Sequence, residues 1–221
     1  MVVRQMIRIL HSNDWHVKGT NPTARKDHYP ETILNKVRDF FETGHRLGVD
    51  AFSEGGDIFD TAHTSSVVVT RLGKIIKENL KGKKLFGVWG NHDESGWNPK
   101  TVAHTPIGVM QEFISDFIIL NNEPYEFKAN GMSVWLTGVS SYAQLDLDVV
   151  DQEGNVIAPR ARDWIVEEVK GPHIHIVHGH LTPKPLLETM RYTLIEEMRH
   201  TKASVTSVSY THLTLPTMAV V

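Results

Sequence analysis

Val49-Asp50-Ala51-Phe52-Ser53-Glu54-Gly55-Gly56-Asp57 decides the fold: a β-rich start runs into two glycines and then a lone carboxylate. Outward from it, the signals alternate. On the N-terminal side, Ile33, Leu34, Val37, Phe40, Phe41 and Leu47 recur at helical spacing over Glu31–Leu47, and Gly48 is a stop signal. On the C-terminal side, Ser65 or Ser66 caps a predicted helix through Leu80, with Val69, Leu72, Ile75, Ile76 and Leu80 inward. A strand over Ile7–His11 precedes the first helix and ends in Ser12-Asn13-Asp14. Another over Lys84–Trp89 follows the second and ends in Gly90-Asn91-His92-Asp93. Strand, helix, strand, helix, strand predicts an α/β fold with a parallel sheet. In such sheets functional groups collect beyond the strands' C-terminal ends, where all three polar clusters lie.

The second half reads differently. Tyr125–Lys128 and Met132–Val139 flank Asn130-Gly131, a hairpin turn signal. A polar loop over Asp146–Pro159, a short helix over Arg162–Lys170, a strand from His173 to Val177 ending at His178, and a helix over Leu186–His200 are expected.

The 221 residues suit one domain, with 40% hydrophobic and 22% charged residues. No apolar run is long enough to span a bilayer, so no membrane role is expected. The chain has no cysteine, which removes disulfides and thiolate metal sites and points to a cytoplasmic location. Net charge is −3, so no whole-protein basic field draws nucleic acid in. The 13 histidines are the anomaly, since histidine is both metal ligand and proton carrier.

Residues 208–217, Val-Ser-Tyr-Thr-His-Leu-Thr-Leu-Pro-Thr, resemble the translation of a sequencing adapter read in frame. The expected division is residues 1–207 as a C-terminally truncated catalytic domain and 208–221 as a non-native tail, with a new strand beginning at Val205-Thr206.

Asp14 and His16, two apart at a strand end, can face one point. Asp57 follows glycines that let the backbone bring its carboxylate close to a cation. Asn91 follows Gly90, and His178 ends the strand from His173. Oxygen and nitrogen donors without sulfur suit Mn, Fe, Zn or Mg. Two such ions ~3.5–4 Å apart, bridged by one carboxylate, clamp an in-line displacement at phosphorus. Asp57 is the natural bridge, with Asp14 and His16 on one ion and Asn91 and His178 on the other. His180 is the alternative to His178, facing the same side of an extended strand.

Asp14-Trp15-His16, Gly56-Asp57-Ile58-Phe59-Asp60, Gly90-Asn91-His92-Asp93 and His178 match, in order, the calcineurin-like metallophosphoesterase superfamily, and His11–His16 with the Thr64-Ser65-Ser66 helix start resemble SbcD-type DNA repair exonucleases. The resemblance, from about Ile7 to Thr206, implies a four-layer α/β/β/α sandwich missing its last strands. It further implies two divalent ions, manganese foremost, with a bridging hydroxide as nucleophile, His92 acting on the leaving oxygen and Asp60 orienting His92. A DNA phosphodiester substrate and an ATPase partner subunit follow from the same resemblance. The family's late Gly-His-x-His pair is absent, so this chain is expected to bind metal weakly and turn over little.

Taken singly, the elements have plainer readings. Asp-x-His is commonly a hydrogen-bonded loop and Asn91 a turn residue. His173 and His175 alternate away from His178 and read as structural or surface residues, and His11 as core or as support to a ligand. His104 reads as a loop residue, Trp89 and Trp135 as core, and Asp93 as a loop tether. Against the nuclease stand two alternatives: a small-molecule or nucleotide phosphatase on the same scaffold, and a binding module without turnover.

Overall fold

The computed structural model describes residues 6–187 and 190–211, the side chains of 209–211 excepted. In chain order come β1 (Ile9–Ser12), α1 (Tyr29–Leu47), β2 (Ala51–Glu54), α2 (Ser66–Leu80), β3 (Leu85–Gly87), α3 (Pro106–Phe113) and β4 (Phe117–Ile119). Then follow β5 (Tyr125–Ala129), β6 (Met132–Val139), β7 (Val149–Val150), β8 (Val156–Ala158), β9 (His173–Thr182), β10 (Thr193–Leu194) and β11 (Val205–Thr211).

β1–β4 form one sheet in sequence order, every pair parallel, with Ile9 opposite Ala51 and Phe52 opposite Leu85. Its strands are buried on both faces. Leu10, Phe52 and Leu85 pack under α1 and α2 together with Phe41, Leu72 and Ile76. Ile9, Ala51 and Phe86 point the other way, into a layer shared with Val134, Leu136 and Ile176 of the second sheet. That inter-sheet layer makes the fold a sandwich. The second sheet runs β10-β9-β6-β5, with β11 also on β9. β5 and β6 form the predicted hairpin, with Asn130 and Gly131 at φ 54° and 74°, the left-handed pair a two-residue turn needs.

The second half departs from the sequence reading. The expected helix over Arg162–Lys170 is a 3-10 turn at Arg160–Trp164 followed by extended chain. Over Leu186–His200 the described residues hold β10 and a 3-10 turn at Ile195–Met198, while residues 188–189 lie outside the described set. The loop over Asp146–Pro159 folds into the small β7–β8 hairpin. β9 continues past Val177 to Thr182, so His178 sits within a strand rather than at its end. β11 starts at Val205 as expected and runs parallel to β9 as far as Thr211. The remainder of the expected tail, 212–221, lies outside the described residues. Among the described residues no helix is long and apolar enough to cross a membrane.

Candidate metal centre

The loops leaving β1, β2 and β3 are tied together by their backbones. Asp14 N–H donates to Gly56 O at 3.0 Å, His16 N–H to Asp57 O at 2.9 Å and Val17 N–H to Ile58 O at 2.9 Å. Asp14, His16 and Asp57 sit at φ 55°, 45° and 56°, a left-handed conformation that costs a non-glycine residue about 1–2 kcal/mol. Such strain persists only where surrounding contacts enforce it. The third loop closes on the second. His92 N–H donates to Asp57 Oδ1 at 2.9 Å, and a Cβ on Gly90 would collide with the Asp57 carboxylate. Asp93 is the tether the sequence suggested: fully buried, it accepts from the N–H groups of Ile58, Phe59 and Gly90 at 2.9–3.2 Å.

On this frame the side chains converge into two overlapping groups that share Asp57. One is Asp14, Asp57 and His178; the other is His16, Asp57 and His92, so Asp14 falls with His178 and not with His16 as the sequence spacing suggested. Asp57 Oδ2 lies 3.7 Å from His16 Nε2 and 3.4 Å from His178 Nε2, and Asp14 Oδ1 lies 3.8 Å from His16 Nε2. Asn91 Oδ1 is 3.3 Å from His178 Nε2. All five predicted ligands therefore meet. The His16 and His92 rings stand perpendicular with centroids 4.9 Å apart.

The donor chemistry fits a cation. His178 Nδ1 is 2.8 Å from Gly55 O, a carbonyl that can only accept, so Nδ1 carries the proton. In the neutral ring Nε2 would present a lone pair toward two oxygen acceptors, so a positive charge is needed there: a proton on Nε2, which then donates to Asp57, or a metal ion in its place. Asp14 Oδ1 is buried without a hydrogen-bond partner among the described residues. Burial, reinforced by the Asp57 and Asp93 carboxylates, pushes Asp14 up to about 7 against the pull of His178. Burial also opposes the Asp57 charge, yet its hydrogen bond to His178 and the His92 N–H bring it down to about 2. Burial lowers His16, and His178 is raised by Asp57 in spite of its own burial.

Asp60 differs from its expected role. Its backbone carbonyl, not its carboxylate, receives His92 Nδ1–H at 2.8 Å. The carboxylate pairs with Lys18 Nζ at 2.9 Å and lies 3.8 Å from His16 Nδ1. The carbonyl still fixes the tautomer, leaving Nε2 as the basic nitrogen of His92. His180, the alternative ligand, lies beside the cluster in a cavity shared with Asn91 and His178. His173 and His175 are buried on Thr137 Oγ1 at 2.7 and 2.8 Å, and His11 bridges Ser53 and Ser207, all structural contacts. His104 is exposed. Lys18, Arg191, Trp97 and Tyr142 border the site and were not singled out from sequence. Lys18 alone had a signal, two positions beyond His16.

The calcineurin-like phosphoesterase family pattern matches residues 7–213. No curated protein sequence matches the chain. Among solved structures, a dimetal phosphatase from Danio rerio aligns at 18% identity and TM-score 0.37 over 59% of this chain and 43% of that one, less than half its length. A second aligns at 12% identity and TM-score 0.45 over 92% of this chain and 83% of the other. The family match spans nearly the whole described chain and takes in every residue of the cluster, so the chain belongs to the calcineurin-like phosphoesterases.

Proposed function

We propose that this phosphoesterase is a two-metal phosphodiesterase of the nuclease type, acting on DNA, with manganese as the working ion. The reading rests on one observation: two ligand groups share a single buried carboxylate, Asp57, with an oriented histidine, His92, at the edge. Asp14, Asp57, Asn91 and His178 would hold one ion, and His16 with Asp57 the other. When bound, such a pair supplies Lewis acidity and lowers the pKa of water toward neutrality.

The chain's own residues do the rest. His92 N–H holds Asp57 Oδ1, freeing Oδ2 to face the imidazoles. His92 Nδ1–H is committed to Asp60 O, so Nε2 is the nitrogen that takes up a proton and, in the resulting imidazolium, gives it to a departing oxygen. Histidine suits that task near neutral pH.

The test is hydrolysis of bis(p-nitrophenyl) phosphate and of short DNA at millimolar manganese, which fills weak sites by mass action. His92→Ala should cost about 10²–10⁴-fold on DNA and much less on the nitrophenyl ester, whose leaving group needs no proton. Equal losses on both substrates would remove His92 from the proton-donor role. Turnover of monoesters such as nucleotides in preference to DNA would support the small-molecule phosphatase instead.

A further inference from the structure

Beside the metal cluster lies a cavity of about 150 Å³, with Asn91 and His178 of the cluster on one side and Trp97, Tyr142, His180 and Arg191 around the rest. At ~30 Å³ per water it holds about five waters, space for a small oxyanion. Arg191 is the one arginine or lysine among the described residues lining it. Its guanidinium carbon stands 4.3 Å from the Trp97 ring centroid, a cation–π distance that fixes the fork in place. One of its terminal nitrogens, Nη1, is buried without a hydrogen-bond partner among the described residues. Glu94 lies within electrostatic reach.

A guanidinium has five N–H donors and no acceptor, in a planar fork that matches phosphate oxygens two at a time. Leaving a buried donor unmet is unfavourable, so buried polar groups are rarely orphaned in a folded protein. Arg191 lines the cavity that adjoins the metal cluster, and among the described residues it is the one arginine or lysine that does so. Lysine would not serve equally: it lacks the fork and does not stack flat on an indole.

We propose that Arg191, seated on Trp97, binds a second phosphate of the substrate, next to the one hydrolysed, and so selects phosphodiesters that carry a neighbouring phosphate. The inference rests on the phosphodiesterase reading above and names the substrate feature that site prefers. A nucleic-acid strand provides such a neighbour at every internal linkage, whereas a simple diester does not.

The experiment compares two dinucleotides that differ only in that group, thymidylyl-thymidine with and without a 5′-phosphate. Their affinities are measured by calorimetry on the full chain carrying His92→Ala, at millimolar manganese, with and without Arg191→Ala or Arg191→Lys. The phosphorylated dinucleotide should bind about 10-fold tighter. Arg191→Ala should reduce that preference to less than about 2-fold, and Arg191→Lys should keep part of it, which a purely structural role for the arginine would not produce. A preference that survives Arg191→Ala, no preference at the outset, or equal weakening of both ligands overturns the proposal. Hydrolysis of bis(p-nitrophenyl) phosphate by the unmutated chain tests the parent reading separately. Hydrolysis without a binding preference sinks the phosphate site alone. A preference without hydrolysis leaves the site standing and sinks the catalytic reading.

Discussion

The four-stranded sheet and the five-stranded sheet cover their outer faces by different physics. The first lies under two amphipathic α-helices, and Leu10, Phe52 and Leu85 meet an apolar stripe that includes Phe41, Leu72 and Ile76. The second has a small apolar patch around Trp164 and Val177, and beside it a polar hub. Asp146, buried and at φ 60°, accepts from Trp164 Nε1 at 2.7 Å, Thr193 Oγ1 at 2.7 Å and the backbone N–H of His180 at 2.6 Å. Apolar packing is non-directional, so its cost of change scales with the volume altered. A saturated carboxylate hub is directional, and removing it strands the Trp164 and His180 donors at once, while Thr193 Oγ1 keeps Arg160 O at 3.3 Å. The metal cluster straddles the seam between the two regimes: Asp14, His16, Asp57 and Asn91 come from the first sheet's loops, and His178 from the second sheet.

The sharpest way to break the comparison is at the seam itself. Asp57→Asn keeps the shape but takes away the shared charge, and should lower kcat/KM on a phosphodiester by about 10³-fold or more, given how much a single electrostatic group contributes to such sites. Its urea midpoint should move far less than its activity. A variant that retains activity would mean that the two ligand groups do not share this carboxylate.

Next in size is a contrast between the two coverings. Asp146→Ala should destabilise by about 2 kcal/mol or more, because each of the two buried donors left unpaired costs about 1–3 kcal/mol. Asp146→Asn should recover part of this, since its Oδ1 can keep Trp164 and Thr193 while its amide nitrogen would face the His180 N–H. Leu72→Ile, a volume-conserving change under the first sheet's helices, should cost less than ~1.5 kcal/mol. Urea denaturation of the three variants measures the gap, and similar costs for Asp146→Ala and Leu72→Ile would erase the distinction.

Acid should act on both regions alike. Burial lowers His11, in the first sheet, to about 4, and His175, in the second, to about 4, each from 6.5. Both stay neutral in the fold while the unfolded chain takes up protons below pH 6.5. Stability is therefore fully present above pH 6.5, falls as the pH drops toward 4, and levels off below it. At 1.36 kcal/mol per unit the loss approaches ~3 kcal/mol for each residue. Urea midpoints between pH 7.5 and 4 should show this fall, and His11→Phe should remove part of it. An unchanged slope in that variant would take His11 out of the explanation.

The smallest effect sits at a helix end. Lys81 caps α2 in the left-handed conformation at φ 49°, where glycine has no Cβ penalty. Lys81→Gly should raise stability by up to about 1 kcal/mol, read as a small rise in Tm.

The same division explains what was legible. α1, α2 and the β5–β6 hairpin follow from periodicity and turn residues because their partners are generic apolar surface. The segments over Arg162–Lys170 and Leu186–His200 carry apolar and charged residues that suit a helix, yet they form 3-10 turns. Trp164 is held by Asp146, 18 residues away, and Thr193 by the same carboxylate 47 residues away. Local composition does not encode those distant bonds. At the site, ligand types were readable, since Asp-x-His, Gly-Asp and Gly-Asn-His place oxygen and nitrogen donors at strand ends. That the Asp60 carbonyl rather than its carboxylate orients His92 was not readable, because every residue has a carbonyl and only the chain path aims it.

Sequence alone determined the alternation of strand and helix and the donor atoms available, both of which follow from residue type and spacing. Only the tertiary structure sets His178, rather than His180, against Asp57. Both imidazoles lie on one side of β9, and it is the packing of β9 against the β2 loop that sets His178 Nδ1 on Gly55 O and aims Nε2 at Asp57. Periodicity assigns a side chain to a face, but contact along that face depends on how far one strand has slid past a loop more than 120 residues away in the chain.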